Sequence, residues 1–133
     1  MSTPNVEEKP QKLLTGLAIA FAVFTLLVTI VFFGWWAFKE RLVFGDEPFD
    51  AVVWMNPQPA HPCERGDMVL DIKRRLLKPG MTKSEVMMQL GRPSWEEPTQ
   101  IEYDLGVCLW VVHGLRLYFD QQERLVHSAI VQH

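Results

Sequence analysis

A chain of 133 residues with a formal net charge of −3 has room for one small folded domain beside a membrane segment, and not for two. That charge balance excludes a broad basic surface for nucleic acid. The single basic cluster, Lys73-Arg74-Arg75, reads as a solvated helix face.

The first element is apolar. In the tail, residues 1–12, the charges of Glu7, Glu8, Lys9 and Lys12 cancel, and from Leu13 to Phe38 no charged residue occurs over 26 positions. A helix crossing ~30 Å of hydrocarbon needs about 20 residues, and lipid leaves backbone N–H and C=O groups no partners except their own helix. Residues 13–38 are therefore predicted to form a transmembrane helix. Trp35 and Trp36 near one end suit the interface, and Lys12 and Lys39 bracket the segment. The run is too long for a cleaved signal peptide, and it ends in bulky Phe and Trp where such a peptide carries small residues. An uncleaved signal anchor is the expectation.

Residues 39–62 read as a juxtamembrane connector. Phe49–Met55 is either a short strand or a segment packed on the domain. Pro57, Pro59 and Pro62 then impose an extended path. The folded domain is expected over 63–133. Asp67–Leu77 has helical periodicity, with Met68, Ile72 and Leu76 on one stripe widened by Val69 and Leu77, and Pro79-Gly80 ends it. Thr82-Lys83-Ser84-Glu85 is a capping box opening a second helix. Val86, Met87 and Leu90 face inward, and Gly91 is the C-cap candidate. Ser94–Thr99 reads as a polar loop. Ile101, Tyr103 and Leu105 then alternate with Glu102 and Asp104 as a strand that Gly106 ends or bends. Val107–Val112 is a buried strand or a covering loop, and Leu115–Phe119 is a strand. Asp120–Glu123 makes a turn, and Arg124–Val131 is the last strand, with Leu125, His127, Ala129 and Val131 on one face. Two helices followed by three or four antiparallel strands imply an α+β two-layer domain.

Two cysteines, Cys63 and Cys108, suggest one disulfide and hence an oxidising compartment; the alternative is two buried thiols in a cytoplasmic domain. The basic residues flanking the apolar run nearly tie, so the cysteines tip the orientation: N-terminus in the cytoplasm, C-terminal domain periplasmic or extracellular, in the inner (cytoplasmic) membrane. His61, Cys63, Cys108 and His113 could ligate zinc, but their spacing fits no strong motif. His127 and His133 read as ordinary histidines. The pairs Glu96-Glu97 and Glu102/Asp104 read as solvated surface rather than acid–base machinery. No phosphate loop, nucleophile elbow or zinc-protease motif occurs. No catalytic residue, cofactor or metal is expected. The apolar stretch Leu109, Trp110, Val111, Val112 is the candidate partner contact, with core as the competing reading.

The segment Leu77-Lys78-Pro79-Gly80-Met81-Thr82-Lys83-Ser84-Glu85-Val86, continuing to Leu90-Gly91-Arg92-Pro93, resembles the GMT-x-x-x-V-x-x-x-LG-x-P signature of the SmpA/OmlA (BamE-like) lipoproteins and the wider β-lactamase-inhibitor-protein-like fold. Ile101–Gly106 and Leu115–Asp120 fit the strands of that fold, so the resemblance spans about residues 64–131. It implies a non-catalytic domain that binds other proteins, here an envelope interaction module. The alternative it implies is an inhibitor or immunity-type protein that binds a periplasmic enzyme or toxin. The chain departs from those lipoproteins in carrying a helix where they carry a lipidated cysteine.

Overall fold

The computed structural model describes residues 8–133; the part of the expected cytoplasmic tail before Glu8 lies outside the described residues. The chain divides into two compact units, one ending at Lys39 and the other running Glu40–His133.

Helix α1, Glu8–Phe44, is continuous over 37 residues. None of its apolar window is buried, and the helix is long and apolar enough to cross a membrane. The C-terminal unit has an α+β fold. Its elements are α2 (Ala51–Met55), α3 (Glu64–Asp71), a π-helical turn (Ile72–Leu76), α4 (Lys83–Leu90), β1 (Trp95–Glu97), β2 (Gln100–Cys108), β3 (Val111–Phe119) and β4 (Leu125–Gln132). The strands form one antiparallel meander in the order β1-β2-β3-β4.

Local chemistry accounts for the helices. The Asp50 carboxylate accepts from the Val52 and Val53 N–H groups and starts α2. The capping box of α4 is complete: Thr82 Oγ1 accepts from the Glu85 N–H, and the Glu85 carboxylate accepts from the Thr82 N–H. Gly91 ends α4 at φ 79°, where a side chain would be strained.

Helices cover one face of the sheet. Met68, Val69 and Ile72 pack with Val86 and Leu90 against Ile101, Tyr103, Leu105, Leu115, Leu117 and Phe119. Phe44 and Trp54 also belong to this core, so the expected connector supplies two of its aromatic rings. Trp54 is completely buried. Its Nε1–H donates to the Leu90 carbonyl at 2.8 Å, and the Arg65 guanidinium lies 4.8 Å over its ring. Residues 51–55 form a helix, not a strand, because the Asp50 cap and the burial of Trp54 outweigh the β-propensity of Val52 and Val53.

The structure corrects two other local expectations and decides a third. Residues 95–97, read as a loop, are β1 and pair with β2 from Trp95↔Glu102 to Glu97↔Gln100. Of the two outcomes expected at Gly106, the bend occurs: at φ 88° it marks a bulge, and β2 runs on to Cys108. A second irregularity between Tyr118 and Phe119 sets Leu125 opposite Phe119 and His127 opposite Tyr118. Leu125 is therefore buried while His127 is exposed and stacks on Tyr118. The uniform Leu125-to-Val131 face of the sequence reading does not form.

Candidate functional site

Cys63 and Cys108 form a disulfide with Cα atoms 4.9 Å apart. It joins the start of α3 to the end of β2. The bridge takes both thiols out of metal and nucleophile chemistry, and no cluster of three potential metal ligands occurs among the described residues. His113 is buried, with its Nδ1 at 2.8 Å from the Val111 carbonyl. His61 and His127 are exposed.

On the sheet face turned away from the helices, Glu102 is buried rather than solvated. Its carboxylate accepts from Arg116 Nε and Nη2 at 2.9 and 2.7 Å and also contacts His133 Nε2. Gly114 makes this possible: a Cβ there would stand 2.2 Å from Glu102 Oε1. Burial works against ionisation of Glu102, but the hydrogen bonds from Arg116 and His133 override it and hold the carboxyl below its ordinary value. The Arg116 guanidinium also lies 5.4 Å over the Trp95 ring. A saturated carboxylate with two basic partners is a structural tie across the strands. The clue in the sequence was Gly114 within a strand two residues before Arg116. Asp104 is exposed, as are Glu96 and Glu97. Glu96 nevertheless pairs with the largely buried Lys83 at 3.2 Å.

A groove of about 410 Å³ is lined by Glu47, Asp50, His61, Glu64 and Asp67 with Pro48, Val53 and Met68. Burial, then the neighbouring Glu47 and Glu64 charges, push the Asp67 carboxyl up. This is an open acidic groove.

Among the described residues, two features remain unpartnered. The first is the tip of the β2–β3 hairpin. Cys108 and Val111 pair across a two-residue turn, Leu109-Trp110, with φ of 48° and 64°. Of the candidate contact residues, Leu109, Trp110 and Val112 are exposed and Val111 is half-buried. Trp110 is 94% exposed, so it is not core.

The second is the outer edge of β4. The two sheet edges differ sharply. β1 is three residues long and carries Glu96 and Glu97, the usual protection of an edge. β4 is eight residues, Leu-Val-His-Ser-Ala-Ile-Val-Gln, with no Asp, Glu, Lys or Arg. Its outer side is bonded at the start, where Leu125 exchanges backbone hydrogen bonds with Gly80 and Met81. Because His133 N–H donates inward to the Val112 carbonyl, antiparallel alternation turns the N–H and C=O of Ser128 and Ile130 outward. A groove of about 260 Å³ runs beside this edge, lined by Lys73, Leu77, Pro79 and Leu125–Ser128. The sequence reading missed this edge because a strand's place in the sheet is a tertiary property.

Comparison with protein-family models, with curated proteins and with solved structures finds no match to this chain.

Proposed function

We propose that this chain is a non-catalytic binding module held on a membrane. In this reading α1 spans the cytoplasmic membrane with its N-terminus inside. The C-terminal unit stands on the periplasmic or extracellular side, where the Cys63–Cys108 bridge is stable. A protein partner docks by adding an extended segment to the outer edge of β4. One observation carries the proposal: a charge-free edge strand with outward backbone groups at Ser128 and Ile130 and a groove beside it. Strand addition gains affinity from main-chain hydrogen bonds and specificity from side-chain pockets. The resemblance of residues 77–93 to BamE-like domains, which bind other proteins, supports the same reading.

The test is photo-crosslinking from position 126, an exposed site on β4, with the full-length protein in its native membrane. A stoichiometric protein adduct is expected, and Ser128→Pro should abolish it. That substitution deletes an outward N–H while leaving the bonds to β3 in place. If no adduct forms, or if the adduct survives Ser128→Pro, strand addition is ruled out.

A further inference from the structure

The β2–β3 hairpin tip is unusual for its chemistry. A two-residue turn with both central residues at positive φ favours Asn-Gly, because side chains crowd the backbone there. Here Leu109 and Trp110 occupy those positions, and both project into solvent. Val107 and Val112 beside them are 41% and 42% exposed. From Val107 to Val112 the chain carries no charge. Large apolar groups stand where they strain the backbone, and among the described residues Trp110 is almost wholly uncovered.

The position of the tip in the C-terminal unit indicates what it meets. Phe44, near the start of that unit, packs edge-on against His113 with ring centroids 5.0 Å apart. Phe44 and Cys108 both border Gly66. Cys108 and His113 flank the base of the hairpin. The chain therefore enters the C-terminal unit beside the hairpin base. Lys39, which closes the apolar run, precedes Phe44 by five residues, at most about 18 Å of extended chain. Trp110 lies two residues beyond Cys108, about 7 Å more. The tether between the apolar run and the tip is therefore short, and a short tether makes a contact with the same bilayer effectively intramolecular.

We propose that Leu109 and Trp110 form a second membrane contact, inserting into the interfacial layer of the bilayer that α1 spans. Trp suits that layer because its ring is apolar while its N–H can meet headgroup oxygens. Leu109 adds apolar area. A charge-free tip needs no particular headgroup, so the contact forms on a zwitterionic surface. The inference goes beyond strand addition at β4 and does not depend on it.

The experiment uses the full-length chain with Trp35→Phe and Trp36→Phe, reconstituted in phosphatidylcholine vesicles with and without brominated acyl chains. Emission from this protein minus that from the same protein carrying Trp110→Phe isolates Trp110. The exposed position tolerates the change, and an intact Cys63–Cys108 bridge with unchanged circular dichroism verifies the fold. The expected result is a blue-shifted Trp110 component that loses most of its intensity to bromines near the headgroup end of the chains. An unshifted, unquenched component overturns the proposal. A blue-shifted but unquenched component also overturns it, because a second copy of the chain would then cover the tip.

Discussion

Gly66 sits inside α3 facing the disulfide, and the bridge reverses the usual effect of replacing it. A Gly-to-Ala change in a helix interior ordinarily stabilises by about 1 kcal/mol. Here a Cβ would stand 2.4 Å from Cys108 Sγ and 2.6 Å from Cys63 Sγ, closer than carbon and sulfur can approach. Gly66→Ala is therefore expected to destabilise the C-terminal unit by roughly 1–3 kcal/mol, the range for overpacking a core. Thermal unfolding of the detergent-solubilised chain reads it; a raised Tm would mean the helix and bridge are not in contact. Residues in this class were the hardest to see in the sequence. Helical periodicity placed Met68, Val69 and Ile72 in the core, where they are. The same pattern could not place Gly66 under a disulfide 42 residues away at Cys108. Glu102 was misread for a related reason: alternation put it on the outer face, but its burial depends on Gly114 and Arg116 of the next strand and on His133.

Elements whose ends are set by local chemistry were legible, and those set by tertiary packing were not. The capping box and Gly91 bound α4 as expected, because those hydrogen bonds close within four residues. α3 begins at Glu64 rather than Asp67, and its last turns widen into a π turn. Asp71 lies at that junction. It accepts the Phe49 N–H at 2.7 Å and pairs with Arg74 and Arg75, which fastens the segment before α2 to the end of α3. Hydrogen bonding from Arg75 first, then from the Phe49 N–H, holds its carboxyl well below the ordinary value. A depressed folded-state pKa contributes stability above the unfolded value, and that contribution is lost as pH falls through the folded value. Wild-type stability should thus decline as pH drops below about 4, the ordinary Asp value. Asp71→Asn should be less stable at neutral pH and have a shallower acid limb. Parallel denaturant midpoints for the two proteins from pH 7 to pH 2 would remove Asp71 from this role.

At the scale of the molecule, the apolar run and the α+β order of elements were legible because both rest on hydropathy pattern and element type. The extent of the C-terminal unit was less legible: Phe44 and Trp54 lie in a charged and proline-rich stretch but are drawn into the core by Leu90, Arg65 and His113. The disulfide links this architecture to the side of the membrane. It closes a separation of 45 residues, and tying off a loop of that size restricts the unfolded chain by about 3–4 kcal/mol. A unit this small has few other reserves of stability, so Cys63→Ser should lower its Tm markedly and remove a reductant-sensitive shift in gel mobility. A bridge of this kind persists only where thiols are not kept reduced. In intact cells, therefore, a maleimide that cannot cross membranes should label neither cysteine until a reductant is added, and both afterwards. Labelling only after membrane lysis would instead place the C-terminal unit in the cytoplasm, where the bridge would be open, and a strand-adding partner would have to be sought on that side.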